Sequence, residues 1–326
     1  MDESRLYAYC LQGDVVAAYE YIQSVPEKST KQKKLEAKYF RRFFSAKPPY
    51  RFKSDDPWIR RVLVAYYQYF TAVLTRKSVL EAENQLRESL VELIPESTLK
   101  DNMDILEAYL EQKFKEKGYH FLGGVTPPYR GPYIWKTTTE KEFTVLLPHQ
   151  VQKVTVYFMT DFLLQSWIHF ATFGEKFAGG WAKEDGLYFV AERPKNKRVE
   201  INSSEFQVSY LKHEAQHQID FARFPDLSPK DLEYRAKLVE LIYEPVSFRL
   251  LKKFFYEKKD DSRLPHPHSA YVIMERLKAM VFKNSKEPSL EQWMKVDSAL
   301  IQECAWKLYD EHTKFLEEQT ITTLKI

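Results

Sequence analysis

Apolar residues recur at helical spacing over the first third of the chain. Val62, Leu63, Tyr66, Phe70, Val73 and Leu74 fall on one face of a segment from Trp58 to Arg76 and predict an amphipathic helix. Similar patterns predict helices over 5–25, 31–45, 78–93 and 99–117, with Pro26 and Pro48-Pro49 as stops. Residues 1–118 therefore read as an all-helical N-terminal region. Its aromatic stripes are expected to pack between helices, and no repeat recurs along it. Lys31-Gln32-Lys33-Lys34 reads as a solvated face.

The pattern then changes. Gly123 to Pro132 is rich in Gly and Pro, which places a domain boundary near it and a second domain over 119–326. The other reading of this stretch is an ordered loop over a functional site. Phe143 to Leu147 and Lys153 to Phe158 carry β-branched and aromatic residues and predict strands. Residues 161–173 predict a helix. Phe177 to Ala182 and Leu187 to Val190 flank Asp185-Gly186, the signal of a hairpin. The basic run Arg193 to Arg198 reads as an exposed loop, followed by a short strand at 199–201. Ser204 and Gln207 fit a capping box opening a helix that meets no Pro or Gly before Phe224. Ser228 caps the next helix, with Pro229 at its first position and Tyr243 near its end. Helices over 246–258, 270–283 and 290–318 complete an α+β chain that is predominantly helical.

Composition adds limits. A 326-residue chain with 44% hydrophobic and 29% charged residues can bury a sizeable core. A net charge of +3 gives no ground for a nucleic-acid or membrane-surface partner. Cys10 and Cys304 cannot make a disulfide framework and read as free thiols in a reducing compartment. The most apolar run, Phe162 to Phe173, is short and interrupted by Gln165, Ser166 and His169. The opening Met1-Asp2-Glu3-Ser4-Arg5 does not resemble a signal peptide. The expectation is a cytoplasmic protein, with the N-terminal helices able to engage a protein partner.

The chemistry concentrates in Leu211 to Ile219, which contains His213-Glu214-Ala215-Gln216-His217. On a helix, residues four apart share a face, so His213 and His217 can hold one zinc ion. Glu214 lies beside them, where a carboxylate can take a proton from water. A catalytic zinc needs a third protein ligand. A histidine reached through a glycine is excluded, because Asp220 and Arg223 occupy those positions. Glu233, Glu240 and Glu244 on the following helix are the candidates, and spacing does not choose between them. Asp220 is either an orienting acid or an ordinary helix-end acid. His266 and His268, in a Pro-punctuated segment before Tyr271, form a second cluster. Gly179, Gly180, Trp181 and Ala182 offer a strand edge to which an extended peptide could add.

These residues resemble the gluzincin group of zinc metallopeptidases. The resemblance covers about residues 143–245 and rests on His-Glu-x-x-His, on a Gly-Gly stretch running into a hairpin, and on Glu233-Tyr234-Arg235-Ala236. The last is similar to a Glu-x-x-Ala pattern that carries the third ligand, from which Lys237 departs by standing where Asp or Asn is usual. The resemblance implies a zincin-like domain with a small mixed sheet and an active-site helix, Glu233 as third ligand, and an oxyanion donor among His266, His268 and Tyr271. It implies a hydrolase that cleaves peptide or protein substrates with Zn2+. Two other readings stand beside it: a helical interaction module with a structural or lost metal site, and a zinc hydrolase acting on another bond.

Overall fold

A computed structural model describes residues 1–94, 102–192, 200–283 and 287–323. The chain is of the α+β class and mostly helical. It forms two compact units: Met1–Thr138 with Met159–Ala178 and Ala191–Lys197, and Thr139–Phe158 with Gly179–Val190 and Arg198–Ile326. The chain passes between them several times, so no single cut divides them, and the expected boundary after residue 118 falls inside the first. The expected basic loop at 193–198 and the start of the helix expected from 99 lie outside the described residues. No described helix is long and apolar enough to cross a membrane.

The first unit holds α1 (Glu3–Leu11), α2 (Val15–Gln23), α3 (Thr30–Tyr39), α4 (Pro57–Leu74), α5 (Val79–Val91) and α6 (Met103–Glu116). The helix expected over 5–25 is two helices. Gly13 breaks it with φ of +78°, a conformation that favours glycine, and the Asp14 carboxylate accepts from Ala17 N to start α2. A capping box of Ser29 and Gln32 opens α3, and Asp56 followed by Pro57 opens α4. The stripe of α4 is buried along its length, from Ile59 through Tyr66 and Phe70 to Leu74. Tyr39, Phe43, Leu106, Phe114 and Trp167 join the same core.

Gly123 to Pro132 is an ordered part of the first unit. It forms β2 (Val125–Thr126) and β3 (Tyr129–Arg130), packed against α4 and α6. Gly124 N donates to Glu107 Oε2 at 2.7 Å, and the Arg130 guanidinium reaches the same oxygen at 2.7 Å. Arg130 N donates to Tyr69 Oη at 3.1 Å. A three-stranded sheet follows the order β1 (His120–Leu122), β4 (Tyr133–Trp135), β7 (Leu164–Gln165). Pairing of Gln165 with Tyr133 takes the start of the 161–173 segment into that sheet, leaving a short α7 (Ser166–Ala171).

The second unit contains a four-stranded sheet in the order β5 (Thr137–Leu147), β6 (Gln150–Thr160), β9 (Gly186–Val190), β8 (Gly180–Lys183). The expected Asp-Gly hairpin is present, with Lys183 opposite Gly186 and Gly180 opposite Phe189. Among the described residues β8 is an edge strand. A short turn of helix, α8 (Ser204–Phe206), leads through a π-helical segment, Gln207–Lys212, into α9 (His213–Arg223). The cap is Ser203, whose hydroxyl accepts from Phe206 N at 3.2 Å, one residue before the expected Ser204. Ser228 and Pro229 open α10 (Pro229–Tyr243) as expected. Contacts with α9, α12 (Pro265–Phe282) and α14 (Ser298–Thr323) bury Glu233 through Ile242 on every face. α11 (Phe248–Glu257) and α13 (Leu290–Met294) complete the unit.

Candidate metal centre

His213 and His217 stand on α9, one turn apart and both buried. α10 crosses them and brings Glu233. The ligand atoms of these three residues lie within 4.8 Å of one another. His217 Nε2 is 3.1 Å from His213 Nε2 and 3.4 Å from Glu233 Oε1, and His213 Nε2 is 3.5 Å from Glu233 Oε2. Donors held tetrahedrally at a zinc–nitrogen distance of about 2.0–2.1 Å stand about 3.3 Å apart. The nitrogen–nitrogen edge and the approach of each imidazole to one oxygen of the carboxylate are close to that spacing, and two imidazoles with one carboxylate suit zinc. On this geometry the donor set fits a zinc ion.

Glu240, two turns along α10 from Glu233, meets the other side of the same imidazole. His213 Nδ1 lies 2.7 Å from Glu240 Oε1. A carboxylate only accepts, so Nδ1–H donates and Nε2 is left to face His217 and Glu233. Burial raises the Glu240 carboxyl, but the hydrogen bond and charge of His213 overcome it and hold it down at about 2. Glu233 is likewise held well below the usual range: burial opposes this, and His217 and His266 outweigh it. Burial pulls His213 down, yet Glu240, Glu233 and Glu214 together push it up to about 9. The surroundings of His213 favour a positive charge. Glu244 is committed elsewhere, with Arg249 Nε 3.2 Å from its Oε2.

Glu214 projects from α9 beside these groups, is half-buried, and has no hydrogen bond or ion pair among the described residues. Tyr210, one turn earlier, was not singled out from the sequence. Its hydroxyl is buried without a hydrogen-bond partner among the described residues, and burial and the Glu214 charge push its pKa up. His217 Nδ1 is also buried and unpartnered among the described residues, its ring stacking on Phe221 at 6.2 Å.

The structure separates the three downstream candidates. His266 is at the cluster: its Nδ1 is 2.8 Å from Glu233 Oε2, and its ring is 6.5 Å from that of His213 and nearly parallel to it. Its side chain remains 64% exposed, so it stands at the mouth of the site. His268 does not join it. The two lie in the first turn of α12, where residues two apart face opposite ways. His268 instead lines a cavity of about 170 Å³ with Tyr234, Arg276 and His312. Tyr271 packs on His268, ring centroids 6.3 Å apart.

Gly179, Gly180, Trp181 and Ala182 lie at and along β8, which α9 holds by a side-chain bond. Gln218 Nε2 donates to Lys183 O at 3.0 Å and reaches Glu184 O at 3.3 Å. Gly180 has a packing reason of its own: a Cβ there would stand 2.1 Å from Tyr188 O and 2.5 Å from the Tyr210 ring. Among the described residues nothing lies within 4 Å of a Cβ at Gly179.

Asp220 does not orient a histidine. It receives Arg235 Nε at 2.9 and 3.0 Å, while the same guanidinium donates to Thr313 and Tyr309. Lys237, which departs from the gluzincin pattern, is 1% exposed and paired with Glu257. It stands one turn from both Glu233 and Glu240, and their charges, with that of Glu257, keep it protonated against the burial that opposes it. No protein-family model, curated protein or solved structure matches the chain.

Proposed function

We propose that this chain is a zinc-dependent metallopeptidase of gluzincin-like arrangement. The observation that carries the reading is the triangle of His213 Nε2, His217 Nε2 and the Glu233 carboxylate, at edges of 3.1, 3.4 and 3.5 Å. Three ligands leave a coordination position for water or substrate, as catalytic sites do and closed structural sites do not. Zinc held there would supply Lewis acidity toward a water and a carbonyl group. Glu240 fixes the tautomer and direction of His213. Glu214 accepts the proton of the attacking water and returns it to the leaving amine, the work of a general base and then acid. His266, at the mouth of the site, donates to the carbonyl oxygen as negative charge develops there. β8, the last strand of its sheet among the described residues, pairs with the backbone of an extended peptide, which sets the scissile bond against α9.

One observation favours a second reading. His266 stands 2.8 Å from Glu233 Oε2, and a fourth protein ligand would close the site into a structural one. Against this, its ligand atoms fall outside the cluster formed by the other three.

The experiment is bound-metal analysis of the untagged protein beside His217→Ala, Glu233→Ala, His266→Ala and Glu214→Gln, with peptide-library hydrolysis on each. One zinc is expected in the parent, in Glu214→Gln and in His266→Ala, and none in the other two. Glu214→Gln is expected to lose about 10²–10⁴-fold in turnover. Loss of metal in His266→Ala would favour the structural reading, and unchanged hydrolysis by metal-loaded Glu214→Gln would reject the mechanism.

A further inference from the structure

The first unit contains a cavity of about 830 Å³ with six cationic side chains in its lining: Lys34, Lys38, Arg41, Arg42, Arg51 and Lys53. No acidic side chain lines it among the described residues. Among the described residues only Lys53 has a carboxylate at ion-pair distance, Glu192 at 2.7 Å. Lys34, Lys38 and Arg42 are spaced i, i+4 and i+8 along α3 and the π-helical turn Phe40–Phe44 that continues it, so like charges are stacked on one face. Such pairs are destabilising on an isolated helix. The whole chain carries only +3, so this concentration is local.

The other wall is aromatic. Arg42 lies over the rings of Phe170 and Phe173, 4.8 and 3.9 Å from their centroids, and Lys38 Nζ is 4.1 Å from that of Phe173. These contacts orient the cations but neutralise no charge. Arg42 spends one N–H on Phe170 O at 2.8 Å and has no anionic partner among the described residues. Tyr67 and Tyr50 continue the aromatic surface. Gln165 also lines the cavity; it is 5% exposed, and its side-chain oxygen has no hydrogen-bond partner among the described residues. A half-turn of that amide offers either a donor or an acceptor.

We infer that this cavity binds a small organic polyphosphate, its phosphoryl groups on the Lys34–Lys38–Arg42 face and its ring against Tyr50, Tyr67 and Phe170. Lysine and arginine are the side chains that recognise phosphoryl oxygens, and the volume suits a ligand of that size. Gln165 meets a hydroxyl or ring nitrogen of the ligand. The site is built from the first unit alone and does not depend on the metal centre.

The test is calorimetric titration of the full chain with ATP, coenzyme A and inorganic tripolyphosphate at two salt concentrations. Saturable one-to-one binding of ATP or coenzyme A is expected, tighter than tripolyphosphate and weaker at high salt. Lys34→Gln with Lys38→Gln, an exposed pair whose loss spares the core, is expected to raise Kd about tenfold or more. Arg42→Gln is expected to do the same, with circular dichroism checking its fold. ATP also binds zinc, so His217→Ala is titrated in parallel and is expected to bind unchanged. Four results would overturn the proposal: no binding of any of the three, binding indifferent to the lysine pair, binding lost in His217→Ala, or, in a parallel titration, a single-stranded oligonucleotide bound more tightly than ATP.

Discussion

His213 uses both ring nitrogens, and the two carboxylates on α10 divide between them. Glu240 takes Nδ1 at 2.7 Å, and Glu233 faces the Nε2 side with His217. The predicted consequence is a graded loss. Glu240→Ala should weaken zinc binding about 10–100-fold, as removal of an orienting partner does. Glu233→Ala should lose metal to any competing chelator. Competition with a zinc-sensitive dye ranks the two, and the reverse order would make Glu240 the ligand. Spacing offered both residues, seven apart on one helix, and did not choose between them, because it sets a shared face but not which imidazole nitrogen that face meets; only the Glu-x-x-Ala resemblance pointed to Glu233. Asp220 is a second case. Its pair with Arg235 is fully buried, and removing one partner strands a charge away from water. Asp220→Ala should cost about 3–5 kcal/mol, read as a shifted urea midpoint. Asp220→Ala with Arg235→Met should recover much of that loss.

At the scale of elements, the motif helix and the edge strand are the parts that fit together. Gly180 lets β8 lie against Tyr188 O and the Tyr210 ring, and Gln218 ties the end of β8 to α9. Gly180→Ala should therefore push β8 out of register with β9 and cost about 1–3 kcal/mol, as overpacking does. Gly179→Ala, which meets open space, should stay within about 0.5 kcal/mol. Equal thermal shifts in the two variants would show that the Gly-Gly stretch is not held by packing. The start of α12 departs from the pattern of the chain by five residues. Pro265-His266-Pro267-His268 looks like a loop, since proline disfavours helix interiors. In the structure it opens α12, because first-turn N–H groups have no helical acceptor and proline there forfeits nothing. That displacement by five residues puts His266 at the metal centre and turns His268 away from it.

For the whole molecule, the helical character, the α4 stripe and the position of the motif helix were legible because each is encoded locally, within a few turns of chain. The division into units was not, since β6 pairs with β9 across a stretch of chain that returns to the first unit. The cationic cavity was missed for the same reason: Lys34 reads as solvated until residues 48–53 and 162–173 fold beside it. The metal centre, by contrast, joins two consecutive helices of the second unit, α9 and α10, to the start of α12. A ligand that binds only the folded state stabilises it by RT ln(1 + [L]/Kd), about 4 kcal/mol at a thousandfold excess over Kd. For a unit of this size each kcal/mol moves Tm by about 2–4 °C. Dialysis against a chelator should therefore lower the melting temperature of the parent by about 8–16 °C at that excess, and restored zinc should reverse the change. His217→Ala, lacking a ligand, should melt at one temperature with or without chelator. A shift of equal size in parent and variant would place the stabilising metal somewhere other than His213, His217 and Glu233.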